Sequence, residues 1–231
     1  MLHYSSKLVG IFGTNDTSSF SVSNLHEGIC EGTEERRLES LESHFLAYMY
    51  RLQYINRWSL MRNNHRENVA EHSYHVALLA HALCTIAVDV FHKEVPTESV
   101  VCAALFHDAT EVMTGDIPTP VKHHNQEILR NFREIEGIAA KRLLDMIPPE
   151  LQPSYRPLLI ADQSDLLVWV KAADRLDAYL KCTHEMLTGN REFAVAQREY
   201  GEILRNMHMP EVDYFLDTFA PAFEKTLDEL E

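Results

Sequence analysis

Two adjacent ionisable residues, His107 and Asp108, stand inside the apolar run VVCAALFHDATEV. A helix of this composition has a core-facing stripe, where an imidazole and a carboxylate are costly unless paired or bound to a cation. Glu111 lies four residues after His107 and shares its face. A His–Asp dipeptide alone is common, and a hydrogen-bonded histidine closing a helix end would explain it. Two other segments strengthen the metal reading. Glu71-His72 opens an apolar helix, and Asp174, in KAADRLDAY, lies mid-helix among Leu167, Trp169 and Leu176. A His, a His–Asp pair and a distant Asp on separate helices suit a mid-row divalent cation, because imidazole and carboxylate are borderline-to-hard ligands and two carboxylates neutralise the 2+ charge. Four protein ligands on an ion that prefers six leave two positions for water and a substrate oxygen, as a catalytic site requires.

The elements that must carry these residues read as helices throughout. Ser43–Ile55 has Phe45, Met49 and Leu52 at helical spacing, and Glu71–His92 sets Val76, Leu79, Ala80, Leu83, Ile86, Ala87 and Val90 on one apolar face. A third helix is expected from an N-cap at Thr97 to about Met113, followed by a GDIPTP loop (Gly115 to Pro120) that two prolines and a glycine keep irregular. Further helices are expected over Asn125–Ile147, Ser164 to about Leu187 with Gly189 as its stop, Arg191–His208, and Glu211–Leu230 with a kink at Pro221. No alternating strand pattern and no fixed-period repeat is present. The fold class is therefore all-α. Residues 1–42 differ: they hold four of the eight glycines, seven serines and no sustained apolar period, and read as a flexible tail with a short helix from near Thr33. That tail is either a partner-binding element or a dispensable extension.

Composition narrows the function. Lys plus Arg number 21 against 35 Asp plus Glu, a formal charge of -14, which argues against broad binding to a nucleic-acid polymer or an anionic membrane. A small phosphate-bearing ligand held by one or two placed cations is compatible with it. The apolar stretch Val76–Phe91 is broken by His81, Thr85 and Asp89 and reads as a core helix, not a membrane span. Cys30, Cys84, Cys102 and Cys182 are far apart, without zinc-ribbon spacing, and the first arginine is Arg36, so neither a disulfide framework nor a targeting leader is evident. The expected location is cytoplasmic.

The order H…HD…D on successive helices resembles the HD-domain metal-dependent phosphohydrolases. Along 43–231, the segments INRWSLMRN, ENVAEHS, HDATEVMTGDIPTPVK, KAADRLDAYLKC and EVDYFLDTF resemble the YfbR-type bacterial 5'-deoxynucleotidases. The resemblance implies a single HD-domain helical bundle over residues 43–231, with 1–42 outside it. It implies one divalent cation, Co2+, Mn2+ or similar, on His72, His107, Asp108 and Asp174, with Glu111 as the catalytic carboxylate. Asp116 falls in the matching Gly-Asp of the loop, and Arg57 and Trp58 match the pair that the family sets against substrate phosphate and sugar. The implied substrates are deoxyribonucleoside 5'-monophosphates, and the implied assembly is a homodimer.

Phosphate monoester hydrolysis is very slow unaided, so such a site needs a cation to polarise the phosphoryl oxygen and activate water. Glu111 could orient or deprotonate that water, and either Glu111 or Asp116 could protonate the leaving alkoxide. The guanidinium fork of Arg57 matches phosphate oxygens, and Lys122 is a second phosphate candidate. Trp58 would form an apolar wall against the sugar, worth about 10²-fold against an added hydroxyl. Other residues are discounted. His75 is packed or exposed, or supports His72 from behind, and His123-His124 is exposed. Asp177 and Lys181 form a surface ion pair, although Asp177 is one turn from Asp174 and could line the pocket. The alternatives are an HD phosphohydrolase acting on dNTP or ppGpp, which would call for a more basic channel, and a non-catalytic nucleotide-sensing HD domain, which would be expected to lose a ligand or Glu111.

Overall fold

The computed structural model describes residues 42–160 and 164–230. The tail and short helix expected over residues 1–42 fall, but for residue 42, outside the described residues. From Phe45 onward, helices follow one another: α1 (Phe45–Met49, continued by a 3-10 turn Tyr50–Tyr54), α2 (Val69–Thr85, continued by a π-helical turn Ile86–Val90), α3 (Thr97–Phe106), α4 (Glu111–Thr114) and α5 (Thr119–Lys122). They continue as α6 (Gln126–Asp145), α7 (Gln152–Leu159), α8 (Ser164–Leu187), α9 (Ala194–Arg205) and α10 (Pro210–Thr218). Among the described residues there is no strand, only an isolated antiparallel bridge between Asn56 and Asn68.

α2, α3 and α8 form the centre. Val76, Ala80, Leu83 and Cys84 of α2 pack with Val100 and Ala104 of α3 and Ala172, Ala173 and Leu176 of α8, all fully or almost fully buried. α9 and α10 close one side through Leu204, Val212 and Phe215. A second apolar cluster joins α1, α6 and α7 through Phe45, Leu143, Leu144 and Leu159, and Ala109 reaches it from the turn after α3. By length and composition, Val69–Val90 could cross a bilayer, yet it supplies much of this packed core.

The ends of the three central helices matter most. α2 starts with a capping box: Asn68 accepts from the Glu71 N–H at 3.0 Å, and the Glu71 carboxylate takes the Asn68 N–H. Such a box is worth about 1 kcal/mol and fixes the register that turns His72 inward. α3 stops at Phe106 rather than near Met113. The His107 ring bonds the Ala104 carbonyl at 2.7 Å, and Ala109 N–H turns back to Phe106 at 3.0 Å. α8 runs over Ser164–Leu187 as the sequence indicates, with Gly189 at φ +84 beyond it.

Elsewhere the boundaries shift. Ser43–Ile55 divides into α1 and its 3-10 turn, the GDIPTP loop gives way to α5, and the last expected helix divides near Phe219 and Pro221. α7 departs from the sequence pattern, because Pro153 and Pro157 mask an eight-residue helix whose Leu159 packs inward.

Candidate active site

His72 is fully buried on the first turns of α2, and its two ring nitrogens do different things. Nδ1 donates to Asp177 Oδ2 at 2.7 Å. Nε2 lies 3.3 Å from Asp174 Oδ1 and 3.5 Å from Asp108 Oδ2, yet forms no hydrogen bond. His107 repeats the pattern: Nδ1 bonds the Ala104 carbonyl, while Nε2 is 3.2 Å from Asp108 Oδ2 and also has no hydrogen-bond partner. The two rings are 5.2 Å apart. Each imidazole is thus anchored at Nδ1, which turns Nε2 toward the Asp108 and Asp174 carboxylates without a hydrogen bond to either.

A cation fits this arrangement. Ligand atoms of His72, His107 and Asp174 all lie within 4.8 Å of one another, and Asp108 Oδ2 approaches both Nε2 atoms. Adjacent ligands about 2.1 Å from a shared ion stand roughly 3.0–3.4 Å apart, close to the spacing found. Buried ring nitrogens without partners are rare in proteins unless an ion or water serves them. Charge agrees: Glu67, Asp108, Glu111, Asp116 and Asp174 act on one arginine, Arg57, and Asp177 lies beside Glu67.

These groups disturb one another. Burial alone would lower the pKa of His72, but Asp108, Asp174 and Asp177 outweigh it and hold the ring well above the ordinary imidazole value. Burial would raise Asp108, but His107 and His72 hold it well below the usual carboxylate range, and Asp174 is lowered chiefly by His72 in the same way. Glu111 goes the other way. Burial, with Asp108 and Asp116 nearby, pushes its carboxyl up to about 9, and its buried Oε2 has no partner. Asp116 is raised by burial and by Asp108, against Arg57 and a hydrogen bond from the Trp58 N–H. Gly115, just before it, sits at φ +72 with open space at its Cβ position, so the backbone angle is what calls for glycine there.

Arg57 spans the cluster, with Nε 3.2 Å from Glu67 Oε2 and Nη1 3.4 Å from Asp108 Oδ2. Trp58 is not in a helix: its backbone is left-handed at φ +57, a conformation costing about 1–2 kcal/mol for a bulky residue. The strain is held by Trp58 Nε1 donating to Glu67 Oε2 at 2.9 Å and by ring packing on Phe193 (5.4 Å) and Tyr200 (6.2 Å). Arg57, Trp58, Asn63 and Arg66 line an adjoining cleft of about 360 Å3.

The structure therefore brings together His72, His107, Asp108, Asp174, Glu111, Asp116 and Arg57, with Trp58 alongside. It does not join Lys122 to them, for that ammonium pairs with Glu136 of α6. Glu67 was missed, and of the two places open to Asp177, surface ion pair or pocket wall, it takes the second. Asp177 does not pair with Lys181: it is buried against His72, while Lys181 bonds Glu185. Glu67 ties Arg57 to Trp58. The available signal for Asp177 was its position three after Asp174, on the same helix face. His75 is half-exposed, 3.5 Å from Asp177 Oδ1, and His123-His124 is exposed, as expected.

The chain is similar to known proteins over the same helices. A family model described as 5'-deoxynucleotidase YfbR-like matches residues 44–223. A 5'-deoxynucleotidase of Vibrio vulnificus is 47% identical over 191 residues, covering 82% of this chain and 98% of the relative. The 5'-deoxynucleotidase YfbR of an Escherichia coli O127:H6 strain is 46% identical over 193 residues, covering 82% and 96%. Among solved structures, an HD-domain phosphohydrolase from Listeria innocua superposes with a TM-score of 0.68 at 28% identity, over 78% of this chain and 88% of that one. With these matches spanning the bundle and its buried His–Asp cluster, the chain belongs to the YfbR-like 5'-deoxynucleotidase family.

Proposed function

We propose that this chain is a metal-dependent 5'-deoxynucleotidase, hydrolysing deoxyribonucleoside 5'-monophosphates to deoxynucleoside and inorganic phosphate. The observation that carries the metal requirement is the pair of buried Nε2 atoms, on His72 and His107, facing two carboxylates without a hydrogen bond. His72, His107, Asp108 and Asp174 would hold one divalent cation. When bound, it supplies Lewis acidity toward the phosphoryl oxygen and toward water.

The chain's own groups supply the rest. Arg57 keeps Nη2 free of the bonds made by Nε and Nη1, and offers it to a phosphate oxygen. The unpartnered Oε2 of Glu111 is placed to exchange a proton with the attacking water or the departing 5'-oxygen, and a carboxyl pushed up to about 9 is held in the acid form that donates at neutral pH. Asp116, beside Arg57 and under the Trp58 N–H, is the second proton-handling carboxyl. Trp58, fixed by Glu67, Phe193 and Tyr200, walls the sugar and favours a 2'-deoxy substrate by about 10²-fold. Lys122, engaged by Glu136, has no part in this reading. The family resemblance supports a cytoplasmic homodimer, which light scattering of the full chain and fractionation would check.

Phosphate release measured across dNMP, NMP, dNTP and ppGpp, with and without a chelator, tests the assignment. Cation-dependent turnover concentrated on dNMP is expected. A clear preference for dNTP or ppGpp would overturn it.

A further inference from the structure

A second group of ligand atoms lies behind His72, on its Nδ1 side. Glu67, His75 and Asp177 each offer one atom within 4.8 Å of the others. Glu67 and Asp177 are both buried, two acidic side chains side by side with one arginine, Arg57, bonded to Glu67. Each has already assigned one oxygen. Oε2 of Glu67 serves Arg57 and Trp58, and Oδ2 of Asp177 serves His72, so Oε1 and Oδ1 remain. The contact of His75 Nδ1 with Asp177 Oδ1 is 3.5 Å, long for a charge-assisted hydrogen bond but ordinary for two ligands of one ion. An independent feature gives access: a cleft of about 280 Å3 lies over these residues, lined as well by His65 and His184, whose rings meet edge to face at 4.5 Å.

We propose that Glu67, His75 and Asp177 form a second divalent-cation site, separate from the first and entered through this cleft. One imidazole and two carboxylates select a borderline transition cation over Mg2+ or Ca2+. Three protein ligands, one of them half-exposed, leave the remaining positions to water, so this site binds more weakly than the first. Asp177 links the two: Oδ2 fixes the His72 ring while Oδ1 faces the second ion.

The test is equilibrium dialysis of the cation-free full chain against Co2+, with metal per chain read by atomic emission. Wild type should bind two equivalents, the second at higher Co2+. His75→Ala and the milder His75→Gln should each lose one equivalent and keep the tighter one, while Asp174→Ala should lose the tighter one and keep the weaker. His184→Ala, on the cleft wall, should retain both. A wild-type stoichiometry of one, or an unchanged stoichiometry in both His75 variants, overturns the second site. Loss of metal-dependent dNMP turnover in the wild type would overturn the nucleotidase reading instead, so the two failures are distinguishable.

Discussion

Substituting Asp177 isolates the link between the fold and the proposed cation. In the wild type its carboxylate accepts from His72 Nδ1 at 2.7 Å, with His72 fully buried and Asp177 5% exposed. Burial opposes ionisation of Asp177, but the His72 hydrogen bond and the nearby His75 outweigh it and hold the carboxylate well below its usual range, so it is charged at neutral pH. A charge-assisted hydrogen bond contributes about 1.5–3 kcal/mol and a neutral one about 0.5–1.5 kcal/mol. Asp177→Asn, which keeps an acceptor and loses the charge, should therefore cost about 1–1.5 kcal/mol of His72 basicity and orientation, or roughly tenfold in affinity for the tight cation. Asp177→Ala also removes the partner that fixes the tautomer, and should cost about 100-fold. Competition with a chromophoric chelator measures both, and turnover of dAMP at saturating cation should recover far more than the affinity does. Unchanged affinity for the tight cation in both variants would refute the argument that Asp177 presents the His72 lone pair.

Three further outcomes follow from the same geometry. Burial alone would raise Glu185, but bonds from Lys181, Asn190 and the Asn64 and His65 amides lower it from 4.5 to about 2. A depressed folded-state pKa gives stability that is present above pH 4.5 and lost as pH falls toward 2, so Glu185→Gln should flatten that acid limb and lower stability at pH 7 by about 2–4 kcal/mol in chemical denaturation. Affinity for the cation should rise with pH, because Asp108, Asp174 and Asp177 hold the His72 proton more firmly than an ordinary imidazole does and ligation must release it; an affinity that falls with rising pH in chelator competition would contradict this. Trp58→Ala should reduce the dAMP-over-AMP preference from about 10²-fold toward parity, seen in the ratio of kcat/KM values. Retention of the full preference would remove Trp58 from sugar selection.

What could be read from the sequence was what local pattern encodes. The apolar period of Glu71–His92 and the Gly189 stop placed two of the three central helices, and with them His72 and Asp174. The His–Asp pair stood out because its neighbours were apolar. Side-chain pairing across the bundle was less legible. Asp177 and Lys181, four apart on α8, fit a surface ion pair by spacing, yet packing turns Asp177 toward α2 and Lys181 toward Glu185. Glu67 gave no signal, because its role depends on the chain returning from Arg57 and Trp58 through the Asn56–Asn68 bridge. The early end of α3 coincides with the His107 ring bond to Ala104 and the turn from Ala109 N–H back to Phe106, neither of which a helical period encodes. The left-handed Trp58 is a tertiary effect that no helix propensity would anticipate.

The most direct measurement is anomalous diffraction at the cobalt edge from crystals of the full chain grown with Co2+. A strong peak is predicted about 2.1 Å from His72 Nε2, His107 Nε2 and a carboxylate oxygen each of Asp108 and Asp174. Peaks only elsewhere, with the two Nε2 atoms bonded to protein groups or to water alone, would contradict the central claim that these four residues hold one cation.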